Sequence, residues 1–451
     1  MVRRTTATAA LTPKSKLKSK PKLKHKPSTR SLDLVVFGAS SFVGRILCEH
    51  LYERFGAGAQ ASRERNRERL HWALAGRSEA RLREVRAGLG AGAARLPLIV
   101  ADAGDEAALR ALCLRTRVVI STVGPYALYG EPMVAACAGT GTHYADLTGE
   151  VQWIRRMLMR HEHAARESGA RLVHCCGFDS IPSDLGVHHL QRESRRRFGE
   201  PCTIVSMRLV KASGGVSGGT AASLVNLLKE ATGDAQLRAE LMNPYSLCPQ
   251  HPELDVQQHP VYLPRLDPDL DAWVAPFVMA AINERIVHRT NALTGHAYSE
   301  HFRYDEGMLT GRGLAGRLAA TAFTAGLAAG VVAGALPPTR ALLERFVLPA
   351  PGEGPSPDSQ RRGHWELRFV GHTDHGRRIV TRVAGERDPG YGSTARMLGE
   401  AGACLALDLI DSQAPGDFWT PASLMGDRLI ARLQRHAGVR FEVLEPEGKA
   451  G

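Results

Sequence analysis

Residues Gly38-Ala39-Ser40-Ser41-Phe42-Val43-Gly44 set two glycines around a pair of hydroxyls. A turn of this kind suits a pyrophosphate. Backbone N–H groups must reach phosphate oxygens at a helix start, where side chains would obstruct and the dipole favours negative charge. Gly38 would make the turn and Gly44 would let helix and strand approach. Ser41 stands where a middle glycine is usual, its hydroxyl available to a phosphate oxygen. Arg77 and Ser78 follow a second apolar run. A guanidinium beside a hydroxyl suits the 2′-phosphate of NADP, whereas an acidic residue there would hold the 2′-hydroxyl of NAD; the competing reading is a solvated Arg that opens the next helix. Asp102, after a third run, would contact the adenine or cap the following helix. Thr122, Val123, Gly124 and Pro125, after a fourth, would line the ribose and nicotinamide. The cofactor set is therefore Gly38, Ser40, Ser41, Phe42, Val43, Gly44, Arg77, Ser78, Asp102, Thr122, Val123, Gly124 and Pro125, and the cofactor NADP(H).

Such turns need a scaffold that brings them to one edge. The stretches 33–37, 70–75, 98–101, 117–121, 143–147 and 171–175 are short apolar runs, separated in part by helical spacing such as 42–52 and 151–167. Strands alternating with helices make an α/β fold, a doubly wound parallel Rossmann sheet, whose ligands gather outside the carboxyl ends of the strands. Farther on, 203–209 reads as a strand. Trp365, Leu367 and Phe369 alternate on one face before Asp374-His375-Gly376 turns the chain into 379–383, a hairpin. Helices at about 394–411 and 421–435 close the chain.

At 451 residues more than one core is expected. With 43% hydrophobic and 23% charged residues, most of the chain should fold. Ten Lys or Arg and no acidic residue fall within residues 1–30, so the net charge of +12 becomes about +2 without that tail. The basic signal thus marks a disordered arm rather than a nucleic-acid-binding body; anionic lipid, RNA or organellar targeting are its alternative uses. Nothing in it has the apolar run of a secretory signal, and a cytoplasmic location is expected. The eight cysteines form no C-x-x-C pair, and His161, His163, His188 and His189 lack the spacing of a metal pair, so no metal site is expected. Cys175 and Cys176 read as buried packing residues.

The strings Gly38 to Gly44, Ala75-Gly76-Arg77-Ser78, Thr122-Val123-Gly124-Pro125-Tyr126, Tyr144-Ala145-Asp146-Leu147-Thr148-Gly149-Glu150 and Cys176-Gly177-Phe178-Asp179-Ser180-Ile181-Pro182-Ser183-Asp184 resemble the saccharopine dehydrogenase-like oxidoreductases, nearest the branch of trans-acting enoyl reductases. Ser217-Gly218-Gly219-Thr220, Leu348 to Pro355 and Asp388-Pro389-Gly390-Tyr391-Gly392 agree, so the resemblance spans roughly 31–445. It implies a basic tail (1–30), an NADP-binding Rossmann domain (31–182), a second α+β domain for substrate (183–385), and C-terminal helices that return to the first domain (386–440). Tyr126, Asp179 and Lys211 lie in or beside these strings and are the catalytic candidates. Lys211 is one of only three lysines beyond the tail; the alternative for it is a solvated strand-end charge. Ser217 to Thr220, opening a helix, would dock a carboxylate, thioester or phosphate, or serve as an ordinary cap.

Residues 318–336 carry no charge and just reach membrane-spanning length, although Ala, Gly and Thr supply most of the stretch. A packed or interfacial helix is expected there. The partners are then a small-molecule or lipid-like substrate, with peripheral membrane contact; a homodimer is left open and no specific nucleic acid is expected. Three readings follow: an NADPH-dependent reductase of an acyl, enoyl or polyketide-derived lipid; a saccharopine-type amino-acid C–N dehydrogenase; or a non-catalytic NADP-binding protein of lipid surfaces.

Overall fold

Leu34, Val35 and Val36 are all fully buried, because the strand they form is covered on both faces, as parallel strands are. A computed structural model describes residues 30–57, 68–213, 230, 233–249, 256–336, 338–339, 354–410 and 412–445. Strand β1 (Leu32–Phe37) pairs in parallel with β2 (Trp72–Gly76) on one side and with β4 (Thr116–Ser121) on the other. Strands β3 (Leu98–Val100), β5 (His143–Asp146) and β6 (Arg171–Val173) extend the sheet. All six expected strands form, in the expected sheet.

The second sheet is built on β7 (Ile204–Ser213), with β8 (Arg265–Asp267), β9 (Ala272–Pro276), β10 (Arg303–Gly311) and the antiparallel hairpin β11 (His364–His372) and β12 (Arg378–Glu386). Two late strands complete the pair. Strand β13 (Asp417–Trp419) joins the first sheet beside β6, and β14 (Val439–Leu444) joins the second beside β12. The orders are β13-β6-β5-β4-β1-β2-β3 and β14-β12-β11-β7-β10-β9-β8. The chain therefore closes on a strand, where the sequence suggested only helices. Val439 and Phe441 alternate inward there, and the pairing hides them from solvent.

Helices Ile181–Phe198 and Ala280–Leu293 tie the two sheets together. Gly186 lets the first come close: a Cβ there would lie 2.2 Å from the Phe369 ring. Arg289 of the second donates to the Phe418 carbonyl of β13 at 2.7 Å. The helix Thr394–Ala403 returns to the first sheet, where Gly402 leaves room for Ile120 and Gly399 for Leu47 and His50. There Glu400, fully buried, meets His50 and Arg54 at 3.0 Å and Arg432 at 3.3 Å. Burial would raise its carboxyl, but His50 and the charges of Arg54 and Arg432 outweigh it and hold it at about 2.

Candidate active site

Because the first sheet is parallel, the loops after β1, β2, β4, β5 and β6 all emerge at the same edge. The glycine turn follows β1. Gly38 has φ of 90°, and a Cβ on Gly44 would sit 2.2 Å from the Gly38 carbonyl oxygen, so both positions demand glycine. Ser41 caps the helix Phe42–Phe55: its Oγ accepts the Gly44 N–H at 2.9 Å. Thr122 donates to the Gly38 carbonyl at 2.9 Å, and the Ser41 hydroxyl lies 2.9 Å from Thr122 Oγ1. Ser41 thus organises the turn. The amides of Phe42 and Val43 remain at the helix start without a protein acceptor among the described residues, as an anion site requires. Phe42 itself packs edge-on against Tyr391, 4.7 Å between centroids, which sets the Asp388 to Gly392 string over the turn.

Arg77 is exposed at the end of β2 and its guanidinium has no partner among the described residues. Gly76, just before it, faces the Ser40 hydroxyl, 3.9 Å from where a Cβ would be. Arg77 therefore stands beside the glycine turn. Ser78 caps the next helix through the Arg81 N–H at 3.4 Å. Asp102 is exposed and accepts the Gly104 N–H at 2.9 Å, while the helix cap behind it is Asp105. Of the two roles considered for Asp102, capping is thus taken by its neighbour. Val123, Gly124 and Pro125 form a partly exposed turn with a cis Gly124-Pro125 peptide.

Tyr126 enters the site by its backbone. Its phenol is buried, donates to the Ser121 carbonyl at 2.9 Å and receives the Leu147 N–H at 3.4 Å. Burial, then the charge of Asp146, pushes it well above its ordinary value. A hydroxyl so engaged is a brace. The neighbouring Glu150, which the sequence quoted but gave no role, accepts the amides of Tyr126 and Ala127 at 2.9 Å each. Asp146 at the end of β5 accepts the Cys175 and Thr148 amides at 3.2 Å and pairs with His174 Nδ1 at 2.7 Å. Cys175 takes φ of 61° in that clasp and both it and Cys176 are buried, as packing residues.

Asp179, on the loop after β6, has no partner among the described residues and retains partial exposure. Its Oδ2 lies 4.0 Å from where a Cβ on Gly149 would be, beside the loop after β5. Burial pushes its carboxyl up to about 7. A carboxylic acid poised near neutrality at a sheet edge is suited to proton transfer. Its loop is held from two sides. The Phe178 amide donates to Thr394 Oγ1 at 3.0 Å, and the Phe178 ring meets Trp365 at 5.0 Å. Ser180 donates to Asn283 Oδ1 at 2.9 Å, Asn283 donates to Glu306 at 2.9 Å and to Ser183 at 3.1 Å, and Tyr304 donates to Glu306 at 2.7 Å. Asn283 and Glu306 escaped the sequence analysis because they sit on a remote helix and strand and belong to no quoted string.

Lys211 is exposed on β7 and its ion-pair partner is Glu366, 3.8 Å away, so it reads as the strand-end charge rather than as a neighbour of Asp179. Ser217 to Thr220 lie outside the described residues, as does the basic tail up to residue 29.

The Saccharopine dehydrogenase NADP binding domain family matches residues 54–173, a stretch that starts after the glycine turn. Trans-acting enoyl reductases of Mycobacterium tuberculosis and Mycobacterium bovis are each 41% identical to this chain over 421 residues, covering 90% of it and 96% of the relative. That of Mycobacterium ulcerans is 41% identical over 418 residues, with the same coverage of 90% and 96%. Among solved structures, the apo saccharopine dehydrogenase (L-Glu forming) of Saccharomyces cerevisiae matches with a TM-score of 0.48 at 14% identity, covering 91% of this chain and 99% of that one.

Proposed function

Since this chain belongs to the saccharopine dehydrogenase-like, NADP-binding oxidoreductases, in the group of the trans-acting enoyl reductases, we propose that it reduces the carbon–carbon double bond of an acyl or polyketide-derived chain with NADPH. The observation that carries the reading is the Asp179 carboxyl at the common edge, beside the loops that would hold a dinucleotide. Residues present fit the cofactor: the bare Gly38 to Gly44 turn and the amides of Phe42 and Val43 would hold the pyrophosphate, and Arg77 the 2′-phosphate.

When bound, the reduced nicotinamide supplies a hydride to the carbon β to the acyl carbonyl. Saturating the bond then needs one proton at the α carbon, and Asp179, protonated below about 7, is the group that gives it. Glu150 fixes the Gly124-Pro125 turn, and the Asn283 bridge fixes the loop of Asp179, so both sides of the reacting centre are held before substrate arrives. A lipid-like substrate follows from the enoyl reading.

Purified protein with NADPH tests this. An enoyl thioester should drive loss of the 340 nm absorbance with a product two hydrogens heavier. Turnover of a glutamate-derived imine with no turnover of the enoyl chain would replace this reading with amino-acid chemistry. Binding of NADPH with no oxidation in either case would make the chain a cofactor-binding scaffold.

A further inference from the structure

The helix Gly313–Ala335 leaves the end of β10 and is scarcely covered by the protein. Its span Gly313–Gly334 is long and apolar enough to cross a membrane, and only 11% of an 18-residue apolar stretch within it is buried. A core helix of this composition would be enclosed; this one is not. Its buried residues, Gly316, Ala320 and Gly334, lie on one side. The Gly316 carbonyl accepts Thr310 Oγ1 at 2.9 Å, Ala320 is fully buried, and the Arg317 guanidinium lies 5.4 Å from the Trp273 ring. Leu314, Leu318, Val332 and Leu336 fall on the opposite side at helical spacing, and each is at least half exposed.

We propose that this helix docks the protein into a lipid bilayer with anionic headgroups. At 1.5 Å per residue the span is about 33 Å, close to the thickness of the hydrocarbon core. No charge occurs between Arg317 and Arg340 in the sequence, so cations flank an uncharged stretch. Arg312 adds a second exposed guanidinium at the near end, 3.9 Å from the exposed Asp271 carboxylate. The apolar surface also continues onto the sheet. Leu266 is opposite Trp273 in the β8–β9 register, which places it on the helix's side, and it is 51% exposed, with Leu263 nearby at 72%. Exposed leucines with Arg312 and Arg317 at the near end match a bilayer whose interface is negative. The inference is independent of the substrate reading.

Flotation of the full chain with vesicles tests it, using phosphatidylcholine alone and phosphatidylcholine with phosphatidylglycerol. The protein should float with the anionic vesicles and stay afloat at raised salt. The double variant Leu318→Asp, Val332→Asp, altered only on the exposed side, should partition about 100-fold less while keeping native NADPH affinity. Four results would overturn the proposal. They are no flotation of the native protein, equal flotation of the variant, flotation that salt abolishes, which assigns binding to the basic tail, and a lipid-free dimer that the variant dissociates, which gives the face to a second copy.

Discussion

Glu150 holds Tyr126 by its main chain: one carboxylate oxygen accepts the Tyr126 N–H and the other the Ala127 N–H, both at 2.9 Å, while the Tyr126 phenol looks to Ser121 and Leu147. The turn at Gly124-Pro125 is thus fixed from the loop after β5. Glu150→Gln keeps the shape but opposes an amide N–H with a second N–H donor. A loss of about 1–3 kcal/mol in stability is expected, with weaker NADPH binding. Thermal melts and a fluorescence titration read both, and an unchanged melt with unchanged affinity would contradict the brace.

Removal of the phenol oxygen separates bracing from catalysis. Tyr126→Phe should cost about 1 kcal/mol of stability and leave kcat within about twofold. A kcat loss near 100-fold in a folded variant, the scale of a missing general acid, would make Tyr126 the donor.

Asp179 must be protonated to give a proton, so turnover should fall as pH rises through about 7. Asp179→Asn should lower kcat by about 100-fold and flatten that limb of the profile. A variant that keeps the native pH limb would move the acid elsewhere.

Strands β1 to β6 of the first sheet were legible because each is an apolar run, and the turns after β1, β2 and β4 carry residues constrained by chemistry: Gly38, Gly76, Gly124. Strand β13 was not, since three residues paired with Arg171–Val173 across some 240 positions carry no periodicity of their own. The last strand did have a signal, Val439 and Phe441 in alternation, but it follows directly on a helix and the helical pattern masked it. At the site, residue types pointed to Asp179 and Arg77, whose roles depend on being unpaired at a strand end. They did not show the bracing roles of Ser41 and Tyr126, because a hydroxyl that braces the fold and one that meets a ligand have the same letter. Glu150 and Asn283 act only through partners distant in sequence, which no spacing reveals.

Buried carboxyls give stability two opposite pH limbs. Burial raises Asp184 and Glu306 to about 7 in the folded state, above their unfolded values. Their contribution is full below the unfolded value and is lost as pH rises through about 7. Glu400, held at about 2 by His50, Arg54 and Arg432, works the other way: its contribution is present above the unfolded value and is lost as pH falls toward 2. Urea midpoints across pH should therefore peak on the acid side of neutrality. Glu400→Gln should flatten the acid limb, and a native midpoint still rising past pH 7 would contradict the raised pair.

Calorimetric titration with NADPH and with NADH tests the placement of the dinucleotide most directly. NADPH should bind more tightly, and Arg77→Ala should remove the difference by weakening NADPH about 10- to 100-fold while leaving NADH unchanged, as expected for loss of a charge-assisted phosphate contact. Equal affinities in the native protein would contradict the role of Arg77, and folded protein that yields heat with neither cofactor would contradict the account as a whole.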